Sequence, residues 1–289
     1  MHTIENNQLK VSIQSKGAEL QSIVHKVHQL EYLWGADPAF WPKKSPVLFP
    51  IVGGLKENTF YYKDQPYHLP RHGFARDKDF EVTAQQPHTL TFSLSSDATT
   101  LQQYPFPFRL LITYALQEDF LQVTYTVQNT GEDVMYFSIG GHPAFKLPLA
   151  AGTAYEDYEL RFNKPENAGR WPVTGAGLIA DAPLPLLNNT SVLPLSKELF
   201  KQDAVVLKTL QSDMVTLASS KTKHGFDFHF RGFPYIGLWA APGADFVCIE
   251  PWCGIADSVN TTQQLPDKEG IHSLPADASF ERTWQVRPY

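Results

Sequence analysis

Apolar and polar residues alternate with period two along several stretches of the chain. Leu9, Val11 and Ile13 are separated by Lys10 and Ser12; Leu121, Val123, Tyr125 and Val127 repeat the pattern, and so do Phe226, Phe228 and Phe230. Successive strand residues point to opposite faces, so this alternation predicts half-buried β-strands. The segment from Phe108 to Leu116 meets the one from Phe120 to Gln128 across Gln117, Glu118 and Asp119, a short polar connection that predicts an antiparallel hairpin. Two runs are almost wholly apolar, Met135 to Ile139 and Phe246 to Ile249, and read as buried strands.

Helical periodicity is not sustained over ten residues anywhere. The best candidate, Ser196 to Lys201, is one or two turns opening on a Ser cap with Glu198 nearby. The 22 prolines and 18 glycines are spread along the chain, with no Ser/Gly linker or break in composition at which to divide it. The expectation is an all-β chain with few short helices, one continuous domain over residues 1–289. The stretch Gly175 to Pro194 is rich in Ala, Pro, Leu and Asn without a clear period and is expected to form a long surface excursion. No fixed-period repeat points to a propeller or solenoid.

Composition narrows the possible partners. Of 289 residues 43% are hydrophobic and 19% charged, which fits a folded globular protein. With 24 Lys and Arg against 30 Asp and Glu the formal charge is −6, so no basic field attracts nucleic acid or anionic lipid, and neither is an expected partner. Residues 1–10 lack the basic start and apolar run of a secretory signal, and no later run approaches the roughly 20 apolar residues of a membrane span. A cytoplasmic location is expected. Cys248 and Cys253 lie outside any Cys-x-x-Cys or Cys–His spacing of a zinc site and read as buried structural thiols, with no metal expected.

Three segments combine turn residues, aromatics and ionisable groups: Arg71-His72-Gly73-Phe74-Ala75-Arg76, Gly140-Gly141-His142-Pro143-Ala144-Phe145 and Cys248-Ile249-Glu250-Pro251-Trp252-Cys253-Gly254. His142 follows a strand-like run between glycines and a proline, a setting that holds an imidazole at a strand end. It is either an acid or a histidine bonded within a turn. Glu250 ends the apolar run before it, so its carboxylate is expected at a sheet edge, where it is costly unless used or paired with Arg or Lys. Trp252 and Trp239 offer flat faces to a sugar ring or fill the core. Arg71, His72 and Arg76 form a donor cluster suited to hydroxyls or an anionic group, or else a solvated charged loop.

Together these segments, with Pro46-Val47-Leu48-Phe49-Pro50-Ile51-Val52-Gly53, resemble the aldose 1-epimerase (galactose mutarotase) family, most closely its LacX-like branch, in order and comparable spacing over nearly the whole chain. The resemblance implies a large antiparallel β-sandwich, the galactose mutarotase-like supersandwich, with an open groove and no cofactor. It implies interconversion of the α and β anomers of a free hexose by acid–base opening and closure of the ring. The general acid falls on His142 and the general base on Glu250, facing one sugar ring from opposite sides. His72 falls on a second active-site histidine, and Asp203 on an aspartate that bonds sugar hydroxyls. Arg71, Arg76 and Trp252 are further candidates for substrate contact. One departure is Gly54, where the family commonly carries an arginine. Hexose-6-phosphate epimerisation and a non-catalytic sugar-binding module are the alternatives, and glycoside hydrolysis, which wants paired carboxylates, ranks below both. The expected partner is a monosaccharide, and the expected state a monomer or homodimer.

Overall fold

A computed structural model describes all residues 1–289. The alternating segments are strands, and they assemble antiparallel into a nine-stranded sheet that forms the back of the molecule. Its order is Leu184–Pro194, Tyr158–Arg170, Met214–Ser219, Phe226–His229, Ser279–Pro288, Phe120–Asn129, Phe108–Gln117, Thr89–Ser95 and Glu81–Gln86. The predicted hairpin is present with Gln117 paired to Phe120, so the turn is one residue tighter than its polar composition suggested. Leu9, Val11 and Ile13 are buried in a separate four-stranded sheet at the N-terminal end.

A six-stranded sheet packs against the back sheet and carries the chemistry. Phe246–Cys253 runs through it, flanked on one side by Tyr235–Trp239 and then Val205–Lys208, and on the other by Ile139–Gly141 and Ala144–Lys146, with Val47–Leu48 outermost. Its inner face meets the back sheet through aromatic side chains. The rings of Phe145 and Phe226 are 4.2 Å apart, and Phe228 stacks on Trp284 at 5.2 Å. This is the sheet-on-sheet packing of a sandwich, with one large apolar cluster between the layers. The helices are short, the longest being Ala98–Gln103, capped by Asp97.

Two expectations are corrected. Residues 184–194 are not a surface excursion but the edge strand of the back sheet, pairing with Tyr158–Arg170 across several bulges that obscure any period-two signal. Residues 175–183 do form a loop, and it folds over the outer face of the six-stranded sheet. The turn at Lys197–Phe200 is 3-10 rather than α, and Ser196 makes no side-chain cap.

Candidate active site

Register places the central pair. Gly140 stands opposite Trp252, and Ala144 opposite Cys248, so continuing the same register between them sets His142 opposite Glu250. Directly opposed residues of antiparallel strands project to the same face, and here the face is the outer one. His142 Nε2 lies 3.3 Å from Glu250 Oε2. Glu250 is thus in the middle of the central strand, between His142 and Gly237, and not at the sheet edge where its position after an apolar run had put it. The run ends in sequence, but the strand continues through Pro251 to Cys253.

The two glycines before His142 have separate steric causes. A side chain at Gly140 would meet the Trp252 indole at 2.7 Å, and one at Gly141 would meet the Tyr125 hydroxyl at 2.7 Å on the opposite face. The sheet is therefore pinched between Trp252 above and Tyr125 below, and His142 is carried at that pinch. Its imidazole stacks on Trp41 at 4.9 Å and meets Trp239 edge-on at 5.6 Å.

His72 approaches from another segment. Its backbone N–H donates to the Gly53 carbonyl and its Nδ1 accepts from the Gly53 N–H at 3.1 Å. With Nδ1 accepting, the neutral ring carries its proton on Nε2, the nitrogen left for a ligand. Arg71 reaches Asp203, Nη2 to Oδ2 3.5 Å, and Arg76 Nη2 donates to the Arg71 carbonyl.

All seven candidate residues, His142, Glu250, Arg71, His72, Asp203, Arg76 and Trp252, line one cavity of about 430 Å³. That volume is within the range of small-molecule sites, about 300 to 1,000 Å³. Trp41, Lys201 and Ile179 also line it and were not anticipated. Trp41 had a signal in principle, a large aromatic beside Pro42 outside any strand pattern. Ile179 had none, because it belongs to the loop whose sequence carries no period. At Gly54 an added side chain would sit 3.0 Å from the Gly177 carbonyl, so the same loop occupies the space the family's arginine would need.

Burial sets the electrostatics. Glu250 and His142 are both withdrawn from solvent. Burial raises the Glu250 carboxyl well above its ordinary value of 4.5, with the Arg71 charge working against it. Burial likewise pulls the His142 imidazole from 6.5 to about 3, with Arg71 and Arg76 lowering it further. His72 is held well below 6.5 by burial and then by the neighbouring His142. Burial therefore favours a proton on Glu250 beside a neutral His142 over a carboxylate beside an imidazolium. Glu250 Oε2, His142 Nδ1 and Trp252 Nε1 are all buried without a hydrogen-bond partner. Buried polar atoms are nearly always satisfied, so three orphans around one cavity mark a place for a polar ligand.

The outer sheet face of this sandwich thus bears a buried acid–imidazole pair on a cavity of small-molecule size. The chain belongs to the aldose 1-epimerase family, whose model matches residues 1–271. It is 36% identical over 287 residues to the chromosomal LacX protein of Lactococcus lactis subsp. lactis, covering 96% of this chain and 95% of that one. A galactose mutarotase related enzyme from Lactobacillus acidophilus has the same fold, with TM-score 0.94, 35% identity, and coverage of 100% of this chain and 97% of that one. A galactose mutarotase-like protein from Lactobacillus casei ATCC 334 superposes with TM-score 0.94 at 32% identity, each chain covered completely.

Proposed function

We propose that the chain is an aldose 1-epimerase that interconverts the α and β anomers of a free hexose, with Glu250 as base and His142 as acid. The observation that carries this reading is the 3.3 Å contact between His142 and Glu250 at the floor of the cavity. Anomer exchange removes a proton from the C1 hydroxyl and delivers one to the ring oxygen. Both oxygens are bonded to C1, so the groups that serve them must be neighbours. Side-by-side donors fit that demand better than the opposed arrangement expected from sequence.

One proton suffices for the pair. In the free site it rests on Glu250. Sugar hydroxyls that donate to the carboxylate, together with the Arg71 charge, favour its ionised form, and the proton passes to His142 across the contact. Glu250 then takes the C1 hydroxyl proton while His142 gives its own to the ring oxygen; the C1–O5 bond breaks and a C1 carbonyl forms. Rotation about C1–C2 presents the other carbonyl face, and closure with the roles reversed restores the starting pair. His72 Nε2–H, Arg71 and Asp203 hold the remaining hydroxyls, and Trp252 supplies a flat wall. Positioned acid and base groups each contribute about 10² to 10⁴ in rate.

Polarimetry of freshly dissolved α-glucose and α-galactose tests the reading, the expected result being an accelerated approach to the equilibrium rotation. Calorimetric sugar binding with no acceleration would leave a sugar-binding module instead. A second reading has its own observation: Arg71, Arg76 and Lys201 all line the cavity, a cationic set able to meet a phosphate. Against it, Lys43 pairs with Asp77 and Lys44 bonds the Gln21 carbonyl, so neither is turned to the groove. Stronger competition by glucose 6-phosphate than by glucose would favour the phosphorylated substrate.

A further inference from the structure

We infer that His142 Nε2, Glu250 Oε2 and Cys248 Sγ together bind a divalent transition-metal ion of the Zn²⁺ type, and that this ion excludes the sugar reaction. Cys248 precedes Glu250 by two residues in the same strand, so the two side chains share the outer face, and Ala144 and Trp239 stand opposite the cysteine. One donor atom from each residue, an imidazole nitrogen, the thiol sulfur and a carboxylate oxygen, lies within 4.8 Å of the other two, and all three residues are buried. The nitrogen and oxygen are 3.3 Å apart. Two donors at zinc bond lengths and a tetrahedral angle stand about 3.3 Å apart, so a metal can enter between them with little movement.

Imidazole, thiolate and carboxylate form a donor set that prefers zinc or cobalt to magnesium or calcium. Glu250 Oε2 has no hydrogen-bond partner to surrender. His142 and Glu250 line the cavity, which gives the ion an entry path and leaves its fourth position to water or a sugar oxygen. Binding releases two protons to solvent, the cysteine thiol proton and the one the free site holds on Glu250, and transfers no electrons. Binding rests on the three donors alone; its effect on turnover rests on the function proposed above, because the metal occupies the lone pairs that reaction uses.

Co²⁺ titration of the full chain is the test. The expected result is one equivalent bound, with a sulfur-to-cobalt charge-transfer band that Zn²⁺ displaces. Cys248→Ser should abolish the band, whereas Cys253→Ser, on the opposite face of the strand, should keep it. In polarimetry Zn²⁺ should slow mutarotation reversibly, and Cys248→Ser should lose that sensitivity at the Zn²⁺ concentrations that inhibit the native chain, while its metal-free rate is unchanged. A missing charge-transfer band, or equal Zn²⁺ sensitivity in wild type and Cys248→Ser, overturns the inference. Cys248→Ala gives the same readings should the serine variant fold poorly. If the chain accelerates no mutarotation at all, the cobalt spectrum still decides the metal site, so the two ideas fail separately.

Discussion

The indole of Trp252 lies directly over Gly237, where an added methyl carbon would fall 2.5 Å from two of its ring atoms. Gly237 faces Glu250 in the register, so the missing side chain lets the indole lie flat beside the carboxyl group. Gly237→Ala must push the ring into the cavity. The expected result is a raised KM for sugar and a stability loss of about 1 to 3 kcal/mol from overpacking, read by polarimetry and thermal unfolding. Unchanged KM would mean that the indole does not shape the sugar site.

Glu250→Gln and His142→Asn should each lower kcat/KM by about 10² to 10⁴. In the proposed mechanism the two groups exchange one proton as a unit, so the double variant should be scarcely worse than either single one. Losses that multiply in the double variant would show independent roles and sink the shared-proton scheme.

The pH profile of kcat/KM reports the free site. Activity requires one proton on the pair, so the acid limb belongs to a second proton arriving on His142, whose value is about 3. The alkaline limb belongs to loss of the Glu250 proton and lies well above 4.5. The acid limb should therefore lie well below pH 6.5, and one centred near 6.5 would contradict the burial described for His142.

Much of the fold was legible because strand periodicity is a local signal. Leu121, Val123, Tyr125 and Val127 announce their strand, and Trp284 confirms its buried face by donating to the Tyr125 hydroxyl at 2.8 Å. The edge strand at residues 184–194 was lost because bulges shift its register. The site residues surfaced through motif resemblance. Their geometry did not, since the His142–Glu250–Cys248 grouping comes from cross-strand register, and no spacing along the chain encodes it. The same reasoning explains why the cysteines read as structural. Trp41 and Ile179 were missed because they reach the cavity from segments without periodicity.

Stability offers an independent check on Glu250. Its folded value is raised, so above 4.5 the native chain holds a proton that the unfolded chain releases, and stability falls as pH rises from 4.5 toward the folded value. Glu250→Gln removes that slope. At neutral pH the variant should be far less active yet more stable than the native chain, because it is freed of the titration cost of the carboxyl group. Parallel unfolding curves measured across pH would show this as a gap that widens upward from 4.5. A gap that narrows would reverse the sign assigned to Glu250.

Restoring the family's arginine should harm this chain. Gly54→Arg has to displace the Gly177 carbonyl, so sugar binding should weaken even though a donor is added. Improved turnover in that variant would show the loop to be a passive neighbour.

Asp257 is buried in a 2.8 Å pair with Lys268, while its other oxygen accepts from the Lys56 N–H and its backbone joins Gly54 and Ile179. Three segments are thus stapled to a single residue, by its carboxylate and its backbone, before any guest arrives. A groove fastened in this way opens and closes little. Unliganded and sugar-loaded forms should superpose at this rim, so under the proposed function discrimination among hexoses would come from a rigid mould rather than from a moving lid.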